Sequence, residues 1–105
     1  KNGSIYTKMK DLAPTKYGID SNVKNTLTAN GCIIEGDVSG SMIFRSVKIG
    51  KGCSIKNSII MQGTEIDEGV VLENVIVDKD CYIGKNQKII GSVNYPIVIE
   101  KKTIV

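Results

Sequence analysis

From Val38 onward, branched aliphatic residues recur on a seventeen-residue period that divides into steps of five, six and six. Val38, Ile55, Leu72 and Ile89 fall in one register, Ile49, Ile66 and Ile83 in a second, and Ile43, Ile60 and Val77 in a third. The steps are too short for a helical repeat or an ordinary strand-helix unit and suit three short strands joined by tight corners, stacked coil upon coil. The five-residue steps read VSGSM, IKNSI, LENVI and IIGSV, with a related VKNTL from Val23. Their third residues, Asn25, Gly40, Asn57, Asn74 and Gly91, belong to the two types that most readily accept a positive φ, which predicts a sharp corner at each.

The six-residue steps run aliphatic, Gly or acid, two variable residues, a small residue and one variable residue. Ile49-Gly50-Lys51-Gly52-Cys53-Ser54, Ile66-Asp67-Glu68-Gly69-Val70-Val71 and Val77-Asp78-Lys79-Asp80-Cys81-Tyr82 fit, while the step from Ile83 carries Gln87 at the small position. This hexapeptide pattern resembles that of the left-handed parallel β-helix, an all-β prism whose aliphatic residues stack into interior columns. Equivalent strands then lie about 4.7–4.9 Å apart, and each inward Ile or Leu contributes about 1.5–3 kcal/mol by burial. The first coil is short, since Val38 follows Ile34 by four residues, which a two-residue deletion explains. Ser92 to Pro96 interrupts the register before Ile99 resumes it, giving about five coils in all.

Length and composition refine this picture. One hundred and five residues suit a single domain, with 22–105 as the solenoid and 1–21, which includes Pro14, as a connector or edge-covering segment. The opening Lys1 and the lack of an apolar run long enough for a signal peptide or membrane span suggest a piece of a longer, cytoplasmic protein. Fourteen basic and eleven acidic residues, without a basic run or aromatic interleaving, argue against nucleic-acid binding. Lys and Glu at the variable positions read as a solvated outer face. Cys32, Cys53 and Cys81 fall at interior or small positions and read as buried free thiols of a reducing compartment.

Chemistry is constrained by absence. Many hexapeptide solenoid enzymes resemble one another in using a His as general base for acyl transfer or three His as metal ligands, and this chain has no His. No Ser-His or Cys-His pair is available, and the cysteine spacing is not that of a zinc site. Ile49-Gly50-Lys51-Gly52 lacks the long glycine-flanked loop of a phosphate-binding loop, and its glycines recur with the coil. The chain is expected to hold no catalytic residue and no metal.

Wording beyond the hexapeptides narrows the family. Ile5-Tyr6-Thr7, Pro14-Thr15-Lys16-Tyr17, Asn30-Gly31-Cys32-Ile33-Ile34-Glu35-Gly36 and Ile43-Phe44-Arg45-Ser46-Val47-Lys48-Ile49-Gly50-Lys51-Gly52 together resemble the C-terminal region of bacterial glucose-1-phosphate adenylyltransferase, also called ADP-glucose pyrophosphorylase. The ending Tyr95-Pro96-Ile97-Val98-Ile99-Glu100-Lys101 is most similar to the GlgD-type regulatory subunit. The resemblance implies a parent that makes ADP-glucose and pyrophosphate from ATP and glucose 1-phosphate in glycogen synthesis, with ATP and Mg²⁺ held by an N-terminal nucleotidyltransferase domain missing here. It implies that the solenoid supplies subunit contacts, to its own N-terminal domain and to a catalytic adenylyltransferase subunit in a hetero-oligomer, and part of an effector site. Two residues carry over: Lys79, in a Val77-Asp78-Lys79-Asp80 element similar to the family's Ile-Asp-Lys-Asn, and Lys101, two residues after the aliphatic start of the last hexapeptide. Both would set an ammonium near a phosphate or sugar phosphate; Lys102 stands where the family usually has Gly, and Arg45 is expected only at a surface or interface. The alternatives are the solenoid of another sugar-nucleotide pyrophosphorylase, such as a GDP-mannose or UDP-N-acetylglucosamine type, and a non-enzymatic scaffold.

Overall fold

The computed structural model describes residues 14–19 and 21–105, so the Ile5-Tyr6-Thr7 wording and most of the expected 1–21 connector lie outside the described residues. Among the described residues, fifteen short strands form three all-parallel sheets of five. One sheet, A, stacks β1 (Lys16–Tyr17), β4 (Ile33–Ile34), β7 (Lys48–Ile49), β10 (Glu65–Ile66) and β13 (Tyr82–Ile83). Sheet B stacks β2 (Asn22–Lys24), β5 (Asp37–Ser39), β8 (Ser54–Lys56), β11 (Val71–Glu73) and β14 (Lys88–Ile90). Sheet C stacks β3 (Leu27–Thr28), β6 (Met42–Ile43), β9 (Ile59–Ile60), β12 (Val75–Val77) and β15 (Ile97–Ile99). The chain visits B, C and A in turn, so every third strand returns to the same face one coil higher. Four coils are complete between β2 and β13; above them β14 and β15 begin a fifth, closed on sheet A only by an isolated bridge between Tyr82 and Ile104. This is the left-handed parallel β-helix of the hexapeptide pattern.

The three sequence registers are the three interior columns. Val38, Ile55, Leu72 and Ile89 pair in series on sheet B, Ile49, Ile66 and Ile83 on sheet A, and Ile43, Ile60 and Val77 on sheet C. Period-two alternation explains the burial: within Glu65–Ile66 the Glu is exposed and the Ile buried. Ile34, Ile49, Ile55, Ile60, Leu72, Val77 and Ile83 have no exposed surface. Coils are joined by backbone bonds such as Ile33 N–H to Val47 O, Lys48 N–H to Thr64 O and Glu65 N–H to Cys81 O, at 2.9, 3.1 and 2.9 Å. Solenoid register is already present at β1, where Tyr17 pairs with Ile34 in the interior column and the Thr15 hydroxyl donates to Ala29 O.

Small corner residues also carry hydrogen bonds. The Cys32, Cys53 and Cys81 thiols donate to the carbonyls of Phe44, Asp67 and Glu100 in the next coil, at 2.9, 2.9 and 3.0 Å, and the Thr64 hydroxyl does the same to Asp78 O at 2.8 Å. All three cysteines are free and buried, and burial pushes the Cys53 thiol up, which keeps it a protonated donor at neutral pH. Buried Ser41 and Ser58 accept the backbone N–H of Ser58 and Val75 in the coil above. Gln87, at a position small elsewhere, is exposed: it sits on the last full corner, where no complete coil above demands a compact residue.

Four of the five expected corners turn in the left-handed region: Asn25, Gly40, Asn57 and Asn74 have φ of 51, 59, 49 and 55°. Gly91 does not share this conformation. It is glycine for closeness, because a Cβ there would lie 2.6 Å from Asn74 O and 2.8 Å from Ile97 N, where the Ser92–Pro96 insertion leaves the coil. The two-residue deletion places Gly36 against the corner above, where a Cβ would meet the Cβ and carbonyl of Cys53 at 2.9 Å each. Gly36→Ala is therefore expected to lower unfolding free energy by about 1–3 kcal/mol, as overpacking does, in urea denaturation. An unchanged midpoint would show that the shortened corner can relax.

Candidate functional site

The outward positions of the three faces differ in chemistry. On sheet A they are Lys16, Ile33, Lys48, Glu65 and Tyr82, and on sheet B Asn22, Asp37, Ser54, Val71 and Lys88. Sheet A carries a polar network: the Tyr82 hydroxyl donates to Asp67 Oδ2 at 2.6 Å, which holds the Asp67 carboxyl below its ordinary range and raises the Tyr82 phenol. Sheet C is different. Its central outward column is Leu27, Met42, Ile59, Ile76 and Val98, without one polar residue.

A second outward column beside it, one residue past the inward aliphatics, runs Ala29, Phe44, Met61, Asp78 and Glu100 and is apolar over its first three coils. Leu27 and Val98 are 69% and 58% exposed, and Met42 and Phe44 are 41% and 39% exposed, far above what a core residue shows. Two shallow hollows open on this face, one lined by Leu27, Ala29, Met42 and Phe44, the other by Ile59, Ile76, Val93 and Pro96. The second forms because the Ser92–Pro96 insertion, closed by reciprocal backbone bonds between Ser92 and Tyr95, stands up beside β9 and β12. A contiguous apolar patch of this kind marks a contact surface.

The corner after sheet C carries the two sequence-predicted lysines. Val77 pairs with Ile99, so Lys79 and Lys101, each two residues further on, occupy equivalent places in adjacent coils, and both are exposed. Lys102 N–H donates to Lys79 O at 2.9 Å, tying the two corner segments together. The same column continues downward through Gln62 and Arg45, whose Nε donates to Gln62 Oε1 at 3.3 Å. Arg45 thus belongs to the lysine column, a placement that only coil register reveals. Asp78 accepts its neighbour's N–H, from Lys79, at 2.7 Å. The corner is a ridge of mixed charge, with Arg45, Lys79, Lys101 and Lys102 set among Asp78, Asp80 and Glu100, running along one border of the apolar face. Among the described residues no group of three His, Cys, Asp or Glu is placed to hold a metal ion, and no helix is long and apolar enough to cross a membrane.

Residues 12–94 match the family model described as GlmU-like, C-terminal hexapeptide. The chain is 54% identical over 97 residues to the glycogen biosynthesis protein GlgD of Bacillus subtilis, covering 92% of this chain and 28% of that protein. It is 63% identical over 51 residues to GlgD of Geobacillus stearothermophilus, covering 49% of this chain and 15% of that protein. It is 36% identical over 101 residues to a glucose-1-phosphate adenylyltransferase of Clostridium perfringens, covering 90% of this chain and 26% of that enzyme. The chain thus spans little more than a quarter of the length of the relatives it matches over most of its own length. With the three-sheet coil pattern running from β1 to β15 across the short first coil and the Ser92–Pro96 insertion, and the family model matched over most of its residues, this chain belongs to the GlmU-like C-terminal hexapeptide family.

Proposed function

We propose that this chain is the C-terminal regulatory and assembly domain of a GlgD-type glucose-1-phosphate adenylyltransferase subunit, acting in the cytoplasm in glycogen biosynthesis. The observation that carries the reading is the 54% identity to Bacillus subtilis GlgD over 92% of the chain. In this reading ATP and Mg²⁺ are bound outside the chain, by an N-terminal nucleotidyltransferase domain, and the solenoid contributes no catalytic group. The apolar face of sheet C packs on that domain or on a neighbouring catalytic subunit. The hydrophobic gain of about 25 cal/mol per Å² buried supplies the attraction.

The lysine-bearing corner after sheet C gives the domain its regulatory part. Lys79 and Lys101 bind phosphate or a sugar phosphate, each ammonium making charge-assisted hydrogen bonds to the anion. Their place at the border of the apolar face puts the anion beside the docked partner, so occupancy and docking are coupled. The test is a titration of ADP-glucose synthesis by the assembled enzyme with inorganic phosphate and with glucose 6-phosphate. Lys79→Ala and Lys101→Ala are each expected to shift the half-effective concentration about tenfold, the worth of one charged hydrogen bond, with the unregulated rate intact. Superimposable effector curves would return both lysines to the solvated surface. An assembly that makes no ADP-glucose would overturn the enzymatic parentage.

A further inference from the structure

Resting on the reading of a domain joined to an N-terminal nucleotidyltransferase region, we propose that the corner between sheets A and B carries a slot for one peptide segment, supplied by that region of the same polypeptide. The first observation is an interrupted ladder of backbone bonds. After β7, β10 and β13 this corner runs Gly50-Lys51-Gly52-Cys53, Asp67-Glu68-Gly69-Val70 and Gly84-Lys85-Asn86-Gln87, and its third residues Gly52, Gly69 and Asn86 have φ of 73, 72 and 60°. In this conformation the N–H faces the coil below: Asn86 N–H donates to Glu68 O and Gly69 N–H to Lys51 O, both at 2.9 Å. Gly52 is next in the series, but after β4 the corner has only Glu35 and Gly36, so the residue that would accept its N–H is one of the two deleted. Among the described residues Gly52 N–H has no hydrogen-bond partner.

The second observation is the shape of the gap. Glu35 N–H still reaches Ile49 O and Asp37 N–H still reaches Cys53 O, both at 2.9 Å, so sheets A and B keep their register and only the outer part of the corner is missing. One missing layer is about 4.8 Å deep, the spacing of one extended backbone from the next. Two adjoining hollows open there, one bounded by Ile19, Glu35 and Lys51, the other by Glu35, Asp37 and Lys51. The floor is the corner after β1, where Ile19 holds the place of Lys51; Lys51 O accepts from the coil above, whereas no described residue donates to Ile19 O. A donor in the roof and an acceptor in the floor match a peptide group, whose C=O takes the Gly52 N–H and whose N–H takes Ile19 O. The Glu35 and Asp37 carboxylates turn away an anion.

The third observation is the rim. The second corner residue is charged at Lys51, Glu68 and Lys85, but below the gap it is Ile19, which stands fully exposed beside the 53% exposed Tyr17. A segment seated in the slot covers both. The chain enters the solenoid at Lys16, whose N–H donates to Cys32 O, on the other border of sheet A and one coil below the gap. The region preceding it therefore starts beside the slot, and in Bacillus subtilis GlgD the matching part is only 28% of the protein. In the three-sided prism this edge lies opposite sheet C, so an N-terminal region held here leaves the apolar face to a neighbouring subunit.

Hydrogen–deuterium exchange of the full-length subunit, read at single amides by mass spectrometry, tests this, with Gly69 as the internal standard for a bonded corner amide. Gly52 is expected to exchange about a hundredfold slower than an open amide, close to Gly69, at every protein concentration. Insertion of Lys-Gly between Glu35 and Gly36 copies Lys51-Gly52 and fills the slot from within. That variant is expected to fold with Gly52 still protected, while one N-terminal segment loses about tenfold in protection. Exchange of Gly52 at the rate of an open amide overturns the slot, as does an insertion variant in which no segment outside the solenoid changes. Protection that appears only as subunits associate overturns the same-chain source and gives the slot to a neighbouring subunit. None of these readouts uses ADP-glucose synthesis or effector response, so the slot stands or falls apart from the enzymatic parentage.

Discussion

Replacing Ile66 by Asp is expected to abolish the folded solenoid. Ile66 is 1% exposed and sits in the sheet A column between Ile49 and Ile83, paired with both. A carboxylate at that place has apolar neighbours above and below and no donor to pair with, and an aliphatic side chain is lost as well. Each effect alone costs several kcal/mol. The combined loss of about 5 kcal/mol or more approaches the whole stability of a domain this size. Because a coil is stabilised only by its neighbours, a defect at the third coil separates the stack into two short pieces, neither long enough to persist. Far-ultraviolet circular dichroism should show no cooperative β-sheet melt for Ile66→Asp. Glu65→Ala, one residue away on the outside, should melt like the parent.

The second large effect concerns the outer face of sheet C. Met42→Lys combined with Phe44→Lys places two charges on a surface that is already partly open to water, so stability should hold, with the melting temperature within about 3 °C of the parent. Assembly should not hold. If these side chains are anchors of a docking interface, each removed anchor costs about 2 kcal/mol or more, and the pair should weaken subunit association at least a hundredfold. Native mass spectrometry of the full-length protein with its co-purifying subunit reads the outcome. Unchanged assembly would mean that this face is ordinary surface.

Which parts of this were legible in the sequence follows from where the repeat is strict. The interior columns were, because one aliphatic residue per step is fixed by the width of the prism and shows no matter which face it lies on. Corners such as Asn25 and Asn57 were legible because positive φ restricts residue type. Gly91 misled for the same reason: glycine also serves close approach, and only the neighbouring coil, with Asn74 O beneath it, distinguishes the two uses.

The apolar face is hidden along the chain because its residues are spread among variable positions that together look like one solvated surface. Sorted by face, the residue before each sheet C aliphatic gives Leu27, Met42, Ile59, Ile76 and Val98, a signal present in the sequence but visible only once the steps are assigned to sheets. Arg45 was likewise separated from Lys79 and Lys101 by 34 and 56 positions in the numbering, yet by only two and three coils in space. Tyr17 hid the start of the register, since an aromatic residue at an interior position is tolerated only at the open end of the prism, where it is 53% exposed.

On the proposed reading sheet C is the face through which this domain meets the rest of its assembly, and two methionines on that face report on it without any substitution. Hydroxyl-radical footprinting of the native full-length assembly, with oxidation at Met42 and Met61 quantified by mass spectrometry against the denatured protein, is the direct measurement. Strong protection of both, with Tyr82 on sheet A still modified, is the result expected if sheet C is covered. Oxidation of Met42 and Met61 at the rate of open surface methionines would leave the apolar face bare in the assembly and rule out sheet C as its interface.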